Sequence, residues 1–590
     1  MNSAVGFTAI WHGTEEEHAR AVTAQQRALA HFPDLELESI RLGETIIYLW
    51  GRGDILDTAH YLPDGSLLAL IGSPVGDWSW EEVEREMSRA AQPDDFRLPW
   101  DGRIILLHIS ANGKKWIMWN DWLGSIPVYR SESTQNHVIS TLEPVVVSVR
   151  QFTPEDFFLP GIVALLAIGN LFSDWTIYKQ IKVSPPDAVA QWDEKGFHWR
   201  ACSTIQPTDD HWESGWDDLV DEMHHLSKKA IVRILKTQRS WTLPLSSGLD
   251  SRLIAAIGKE TGADLMTYTW GPATTRDVLF SRQIAKVLKM PWKRVDLGEK
   301  YIAQHVKLWS DLFGSSMPFR GIYQIPFLMA LRSEPPAKIL SGFLGDSLAG
   351  YDVKFQSLFH KPDLKSYYIH PINYCYWEIE QIKELFKISV DDAIEQVSDE
   401  ISMQRDLLQG PWFQKIRFLT LWGRQRYFTY FQSFISDYWF GVEVPYLNRD
   451  YARFCLSLPR AVLDDRRLQI DMMRRYYPKV MSVPGTYAAE PAVVSGSFLL
   501  KRKLANSLPK RMANFVLPEF SASKNIQSDI ANFRLCGENA IWPIPESGQV
   551  LDAWVNMEYV DRVYQEAVGG DKKSVRKLQA LQTIAFRMMD

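Results

Sequence analysis

Short apolar runs separated by turn residues make up most of the first 200 residues. Runs rich in Ile, Leu, Val and Trp predict strands at residues 45–50, 66–71, 103–110 and 115–119. Asn112-Gly113 lies between the last two runs and predicts a tight hairpin turn. Together these runs predict an antiparallel sheet.

Two segments of the same region have helical spacing instead, at residues 14–31 and 80–91. Thr14 and Glu17 fit a capping box at the start of the first helix. The predicted unit is therefore an antiparallel sheet with flanking helices, and it closes near residue 206.

The pattern changes after residue 217, where strands and helices alternate. The predicted elements are, in order, a helix at 219–235, a strand at 243–245, a helix through 258, a strand at 265–270, a helix at 277–288 and a strand at 294–297. This alternation predicts a doubly wound parallel α/β sheet, followed beyond residue 355 by a largely helical part. We therefore predict two domains, residues 1–206 and 207–590.

Composition narrows the class of protein. The 590 residues are 46% hydrophobic and 23% charged, which is typical of a chain with buried cores. The net charge of −6 disfavours a nucleic-acid partner, and four cysteines without a CxxC pair disfavour a disulfide framework or a zinc site. The sequence opens without a signal-peptide pattern, and its longest uncharged apolar stretch, residues 157–172, is too short to cross a bilayer. We expect a cytoplasmic protein without a membrane partner.

One loop carries the clearest chemistry. Residues 243–252, LPLSSGLDSR, combine a short apolar strand, a Ser/Gly turn and the start of a helix. Such a turn directs backbone N–H groups and a helix N-terminus at one point, which suits pyrophosphate. Asp250 lies in this turn, where a carboxylate can hold Mg²⁺ beside the phosphates. The pattern is neither the Walker motif nor the dinucleotide motif GxGxxG.

The loop resembles the SGGxDS pyrophosphate loop of ATP pyrophosphatases, and the order of the predicted domains resembles the asparagine synthetase family. Four further segments resemble motifs of this family in the same order: residues 120–129 (NDWLGSIPVY), 176–186, 341–351 (SGFLGDSLAGY) and 444–448 (VPYLN). The last two resemble its motifs S-G-E-G-x-D-E-x-x-G-G-Y and V-P-F-L-D. The resemblance covers almost the whole chain.

This resemblance implies an N-terminal Ntn-hydrolase-like glutaminase domain and an ATP-dependent synthetase domain. It implies ATP and Mg²⁺ as cofactors, with Asp250 and Asp346 as metal ligands and catalytic residues. The residues that it implies in ATP binding are Leu245, Ser246, Ser247, Gly248, Asp250, Ser251, Gly271 and Gly345.

The second residue departs from the family pattern. A glutaminase of this family carries Cys directly after the initiator Met, because the freed α-amine is the base for its thiol. Here position 2 is Asn2, which implies a degenerate glutaminase domain that releases no ammonia. The amine that attacks the acyl-adenylate is then expected to come from the substrate, as in β-lactam synthetases and lasso-peptide cyclases.

Two further departures concern proton transfer and charge. Phe343 stands where asparagine synthetases carry Glu and β-lactam synthetases carry Tyr, and it transfers no proton. An α-amine with a pKa of about 8 depends less on a strong base, since part of it is already neutral. The family lysine is missing from residues 481–487, where Lys479, Lys501 and Lys503 are candidate substitutes. The general base stays open.

Other candidates each have two interpretations. Asp277 either caps the helix that it begins or lies beside the phosphates or the metal. Glu378 and Glu380 are either surface charges or the dyad acid of a β-lactam synthetase. The aromatic run at residues 427–440 is either a buried helix or the wall of a peptide pocket.

The chain is therefore predicted to be an AMP-forming amide ligase. The departures favour closure of the macrolactam ring of a lasso peptide, with a precursor peptide and its leader-removing protease as partners. The alternatives are an asparagine synthetase that uses free ammonia, a small-molecule ligase similar to β-lactam synthetase, and a catalytically silent relative that binds nucleotide or peptide. The acceptor, the ring size and the oligomeric state are open.

Overall fold

The structure is a computed structural model. It describes residues 3–350, 377–485 and 553–587, apart from residues 77, 91–94, 133–135, 299, 316, 318, 430 and 570, and it also describes a few residues between 500 and 512. Asn2, Tyr351 and the end of the segment 481–487 lie outside the described residues.

A twelve-stranded sheet forms the N-terminal part of the chain. Its strands are β1 (Ser3–Trp11), β2 (Glu36–Leu42), β3 (Thr45–Arg52), β4 (Ala59–Tyr61), β5 (Leu67–Val75), β6 (Asp101–Ile109), β7 (Trp116–Asn120), β8 (Tyr129–Glu132), β9 (His137–Ser140), β10 (Ile181–Val183), β11 (Ala188–Asp193) and β12 (Gly196–Ala201). The main path runs β10-β8-β9-β1-β5-β6-β7-β11-β12, while β3 pairs with β1 and β2, and β4 pairs with β5. All of these pairs are antiparallel except β1 with β5. The four predicted strands and the antiparallel arrangement are confirmed.

Four helices accompany this sheet: α1 (Glu15–Leu29), α2 (Trp80–Arg89), α3 (Glu143–Arg150) and α4 (Leu159–Ile168). The capping box at α1 is confirmed, because the Thr14 hydroxyl accepts from the Glu17 N–H and the Glu17 carboxylate accepts from the Thr14 N–H. Gly113 takes the positive φ of 74° that the turn between β6 and β7 requires, and the predicted hairpin is confirmed.

A five-stranded parallel sheet follows, in the order β15-β14-β13-β16-β17. Its strands are β13 (Ser240–Pro244), β14 (Asp264–Trp270), β15 (Trp292–Val295), β16 (Ile339–Leu340) and β17 (Val442–Glu443). Sequence periodicity found the first three and missed the last two, which are only two residues long each. The mixed α/β fold class is confirmed.

Sixteen α-helices are described after the first sheet. They are α5 (Trp216–Leu235), α6 (Leu249–Glu260), α7 (Arg276–Leu288), α8 (Tyr301–Phe313), α9 (Gln324–Leu331), α10 (Gly345–Leu348), α11 (Ile379–Leu385), α12 (Asp391–Leu407), α13 (Trp412–Leu419), α14 (Phe431–Trp439), α15 (Arg449–Leu456), α16 (Arg460–Leu463), α17 (Arg467–Tyr476), α18 (Pro478–Met481), α19 (Met557–Val568) and α20 (Lys572–Arg587). A π-helix spans Thr420–Thr429, and 3₁₀ turns span Ile55–Thr58, Pro154–Asp156, Phe319–Tyr323, Pro445–Leu447 and Asp464–Arg466. Within the described parts of the chain, none of the helices has both the length and the apolar character needed to cross a membrane.

Buried charges join the two sheets. Asp437, near the end of α14, accepts hydrogen bonds from Arg103 of β6 at its carboxylate and from Arg52 of β3 at its carbonyl. Lys338, just before β16, donates to the Glu443 carboxylate of β17 at 2.9 Å and to the Ser73 hydroxyl of β5 at 3.4 Å. Burial raises the pKa of the Glu443 carboxyl, and Lys338 acts in the opposite direction. The parallel sheet is therefore held to the first sheet by charged groups that depend on their partners.

We expect the substitution Arg103→Met to lower the free energy of unfolding by about 3–5 kcal/mol, because it leaves the Asp437 carboxylate buried without its partner. Urea denaturation followed by tryptophan fluorescence measures this change. The control is Arg85→Met, whose exposed pair with Glu82 at 3.9 Å is expected to contribute less than about 0.5 kcal/mol. Equal losses in the two variants would contradict a stabilising role for the buried pair.

Candidate functional site

The candidate site lies where two neighbouring parallel strands end. The loop after β13 and the loop after β16 meet there, as expected for ligand sites of open α/β sheets. A cavity of about 330 Å³ opens between them. Its walls include Ser246, Asp250 and Ser251 from the first loop and Phe343 and Asp346 from the second. The structure therefore brings the two predicted metal ligands to one cavity.

The first loop is organised by its own hydroxyl groups. The Ser251 hydroxyl accepts from the Ser246 N–H at 3.0 Å and lies 3.0 Å from the Ser246 hydroxyl. The Ser246 hydroxyl also accepts from the Gly248 N–H at 3.1 Å. Gly248 is the N-cap of α6, so this serine network sets the position of the helix N-terminus. The N–H groups of the first turn of α6, which have no intrahelical acceptor, then remain as donors for an anion.

Asp277 completes this loop from the next helix. One Asp277 carboxylate oxygen accepts from the Ser247 N–H at 2.7 Å and from the Ser247 hydroxyl at 2.9 Å. The N-cap of α7 is Thr275, so the interpretation of Asp277 as a cap is wrong. Asp277 instead orders the loop. Its carboxylate occupies the Ser247 N–H, one of the N–H groups that the sequence pattern predicted to bind an anion.

Asp250 is the central charge of the site. Its side chain is 15% exposed, and Oδ1 accepts from Arg466 at 2.5 Å and from the Gln469 amide at 3.1 Å. Burial raises the pKa of the Asp250 carboxyl, Asp346 raises it further, and Arg466 and Gln469 act in the opposite direction. The Asp250 carbonyl accepts from the Tyr446 hydroxyl at 3.0 Å, which links the loop to the 444–448 motif.

The second loop approaches Asp250 through a glycine. A Cβ atom on Gly345 would lie 2.6 Å from Asp250 Oδ1, so a side chain there would displace the carboxylate. Asp346 is the next residue and accepts from the Ser347 N–H at 2.8 Å. Leu344 has a φ of 71°, a left-handed conformation that costs a leucine about 1–2 kcal/mol. The family motif has glycine at this position, whereas this chain has a leucine in the strained conformation.

Arg466 is the functional candidate that the sequence analysis missed. It lies 216 residues after Asp250 and reaches the site because α17 begins beside α6. No short motif surrounds it, and the segment Asp464-Asp465-Arg466-Arg467 reads as an ordinary charged turn. Lys479, Lys501 and Lys503, the candidate substitutes for the family lysine, are all exposed, and none is among the described residues that line the cavity.

Arg252 fixes a third segment against the loop. Its guanidinium, 2% exposed, donates to four carbonyl groups at 2.9–3.0 Å, those of Ser247, Val480, Val483 and Pro484. Burial lowers the pKa of Arg252 to about 10, while Asp277 acts in the opposite direction, so the side chain keeps its charge at neutral pH. Residues 480–484 are thereby tied to the loop after β13.

Two residues implied in ATP binding have their backbone groups occupied by neighbouring strands. The Leu245 N–H donates to the Tyr268 carbonyl at 2.7 Å, and the Leu245 carbonyl accepts from Thr269. The Gly271 N–H donates to the Val295 carbonyl, and the Gly271 carbonyl accepts from Arg294 at 2.9 Å. Neither is among the described lining residues, whereas the adjacent Trp270 is.

An aromatic wall faces the acidic end of the cavity. Trp270 and Phe327 have ring centroids 4.7 Å apart, and Tyr323 and Phe431 extend this wall. Phe431 belongs to the predicted aromatic run, which is both a largely buried helix and part of the cavity wall. Among the described lining residues, the ionisable side chains are Asp250, Asp346, Tyr323 and Arg424, so no histidine or glutamate there serves as a base.

Glu378 and Glu380 are exposed, and Glu378 caps α11. Their interpretation as surface charges is confirmed.

The oxygen atoms of the site fit a magnesium ion that is shared with phosphates. Mg²⁺ is commonly bound through one or two carboxylates, with the remaining ligands from phosphate and water. Asp250 and Asp346 supply such a pair. The described residues contain no cluster of three or more His, Cys, Asp or Glu side chains that would hold a metal unaided. The residues therefore fit a cation that arrives with a polyphosphate.

We expect Arg252→Lys to lower the free energy of unfolding by about 2 kcal/mol or more, since an ammonium group cannot serve four carbonyl groups in the geometry of the guanidinium. Limited proteolysis within residues 480–485 should become faster at the same time. The matched control is Arg474→Lys on the exposed part of α17, where Arg474 pairs with Asp471. Unchanged proteolysis in Arg252→Lys would contradict the role of Arg252 as a clamp.

The solved structures that share limited similarity with the chain include two enzymes. One is described as glutamine phosphoribosylpyrophosphate (PRPP) amidotransferase from B. subtilis complexed with ADP and GMP, at 11% identity and a TM-score of 0.24, covering 49% of this chain and 80% of that chain. The other is described as the allosteric regulatory enzyme of purine biosynthesis, at 10% identity and a TM-score of 0.25, with the same coverage of 49% and 80%. No curated protein matches the chain.

Residues 222–463 match the family model of asparagine synthase. The matched segment contains both loops of the cavity, with Asp250 and Asp346, and the 444–448 motif. This match supports the assignment of residues 222–463 to the asparagine synthetase family.

Proposed function

We propose that the chain is an ATP- and Mg²⁺-dependent, AMP-forming amide ligase. The observation that carries this proposal is the meeting of Asp250 and Asp346 at the N-terminus of α6, in a cavity formed by the loops after adjacent parallel strands. The family match over residues 222–463 supports an ATP-dependent amide ligase in general. The identity of the two joined groups is the finer part of the proposal.

The residues of the site divide the work of adenylation. A substrate carboxylate oxygen attacks the α-phosphorus of ATP, and pyrophosphate leaves. The N-terminus of α6, with the Ser246 and Ser251 hydroxyls, holds the pyrophosphate. Asp250 and Asp346 hold Mg²⁺, which when bound offsets the negative charge of the phosphates. Asp277 and Arg252 keep the loop in place through Ser247.

The amine then attacks the acyl carbon, and AMP leaves as the amide bond forms. We propose that the amine belongs to the substrate, because Asn2 replaces the nucleophilic cysteine of the glutaminases and residues 1–206 then form a degenerate domain. Phe343 lines the cavity at the position of the family's acid or phenol, so it accepts no proton from the amine. An α-amine, with a pKa of about 8, suits a site without a strong base.

A peptide that supplies both reacting groups fits these features. We propose that a side-chain carboxylate of a cytoplasmic precursor peptide is adenylated and its N-terminal amine closes a macrolactam of the lasso type, after a protease has removed the leader. The wall of Trp270, Tyr323, Phe327 and Phe431 offers apolar contact to such a peptide. Holding both ends in one cavity raises their effective concentration.

We expect Asp250→Ala and Asp346→Ala each to lower pyrophosphate release by at least about a hundredfold, because each removes one of two carboxylates that hold the cation. A coupled pyrophosphate assay measures this loss. Asp391→Ala on an exposed helix is the matched control, and Asn2→Ala should leave adenylation intact. Loss of activity in Asn2→Ala would contradict the degenerate-domain interpretation.

The joined groups are identified by product analysis. With ATP and a leaderless peptide that carries Asp or Glu, we expect a product one water lighter than the peptide and resistant to aminopeptidase, as ring closure through the N-terminus requires. Mass spectrometry measures both properties. Steady AMP formation from aspartate and ammonia would instead identify an asparagine synthetase. ATP binding without AMP formation for any acceptor tested would favour a silent relative.

A further inference from the structure

We propose that Arg466 is an internal counter-ion of the cation site, which a divalent cation displaces from Asp250 and which then pairs with the phosphates of the nucleotide. This inference rests on the proposed function for its second half, the contact with phosphates. Its first half, competition with a cation at Asp250, stands on the geometry of the chain alone.

The contacts of Arg466 compete directly with metal binding. Its Nη2 lies 2.5 Å from Asp250 Oδ1, and the Gln469 amide donates to the same oxygen at 3.1 Å. Gln469 of α17 also accepts from Arg466 Nε at 2.7 Å, so Gln469 orients the Arg466 side chain at the N-cap of this helix. A cation needs a lone pair of Oδ1 that these two donors already use. Binding of a cation through Oδ1 therefore requires Arg466 to move.

The balance of charge indicates where Arg466 goes. Asp250 and Asp346 carry two negative charges, and Arg466, whose side chain is 11% exposed, carries one positive charge. A divalent cation changes the sum of these groups from −1 to +1. A buried guanidinium without an anionic partner is costly, and a polyphosphate at the N-terminus of α6 supplies that anion. Arg466 thus pairs with the Asp250 carboxylate before the cation binds and with the phosphate afterwards.

The backbone at Arg466 is built for such a change. Asp465 and Arg466 both adopt left-handed conformations, with φ values of 54° and 59°. Neither residue is glycine, so each conformation costs about 1–2 kcal/mol of strain in an ordinary loop. The pair belongs to the 3₁₀ turn Asp464–Arg466, which directly precedes helix α17. Strained residues of this kind concentrate at switch segments, where two arrangements compete.

The competing explanation is that Arg466 only anchors α17. The two explanations predict different changes in cation affinity when Arg466 is removed. If Arg466 only anchors α17, its removal loosens the site and weakens cation binding or leaves it unchanged. If Arg466 competes with the cation, its removal frees Asp250 Oδ1 and strengthens the binding of a cation added alone. The sign of the change therefore decides between them.

The experiment titrates the full chain with Mn²⁺ alone, without nucleotide or acceptor, and follows free Mn²⁺ by electron paramagnetic resonance. We expect Arg466→Met to bind Mn²⁺ about ten- to a hundredfold tighter than the unchanged chain, the range that loss of a charge-assisted hydrogen bond produces. The matched control is Arg467→Met, because the Arg467 guanidinium stacks over Trp216 at 5.6 Å instead of contacting Asp250. Weaker or unchanged Mn²⁺ binding in folded Arg466→Met overturns the proposal.

A second titration, with ATP and saturating Mg²⁺, tests the phosphate contact by calorimetry. We expect Arg466→Met to bind ATP at least about tenfold more weakly, and Arg467→Met to bind it normally. Unchanged ATP affinity overturns the phosphate contact. If Arg466→Met does not fold, Arg466→Lys replaces it: the shorter cation is expected to shift Mn²⁺ binding in the same direction by less, and no shift overturns the proposal.

These readouts separate this inference from the proposed function. A chain that never forms AMP would still show competition between Arg466 and Mn²⁺ at Asp250. A chain that forms AMP normally while Arg466→Met binds Mn²⁺ unchanged would retain the proposed function and lose this inference.

Discussion

A buried carboxylate needs a positive partner, and the candidate site is arranged around that requirement at Asp250. Its carboxylate lies in the first turn of α6, against Gly345 of the second loop, where burial and the nearby Asp346 both oppose its ionisation. Arg466 and Gln469 donate hydrogen bonds to this carboxylate, although both lie far from Asp250 in the sequence. Helices α6, α10 and α17 all come close to Oδ1 of Asp250. Contact with this one oxygen atom therefore fixes their positions relative to one another.

A second positively charged side chain, Arg252, binds carbonyl groups instead of a carboxylate. It has four carbonyl acceptors and no carboxylate among its hydrogen-bond partners in the described part of the chain. A guanidinium in such surroundings stays charged, since its pKa of about 10 is well above neutral pH. Its contribution is geometric: one planar group fixes the loop at Ser247 and the segment 480–484 together. The loop after β13 is thus supported by side chains from α6 itself, from α7 and from α17.

The helices and strands were largely predictable from the sequence, whereas the contacts within the candidate site were predictable only in part. Strands such as β3, β5 and β14 are long enough to show apolar runs, and the hairpin at Asn112-Gly113 and the cap at Thr14 are set by neighbouring residues. The two-residue strands β16 and β17 carry no periodicity, so their places depend on the sheet that receives them. Asp250 and Asp346 were found through motifs. Arg466 was missed, and the contact of Asp277 with Ser247 was not predicted, because their partners lie 216 and 30 residues away and only the tertiary fold brings them together.

The charges between the sheets bear on how such a chain can change over evolutionary time. Asp437 and Glu443 belong to the part of the chain that carries the cavity, yet Arg103 and Arg52 of the first sheet donate to the former, and Lys338, the partner of the latter, also donates to the Ser73 hydroxyl of β5 at 3.4 Å. A gene that lost its first 206 codons would leave the Asp437 carboxylate without Arg103, and an unpaired buried carboxylate destabilises a fold. The contacts of Arg52 and Arg103 with Asp437 therefore favour retention of the first sheet together with the part of the chain that carries the cavity.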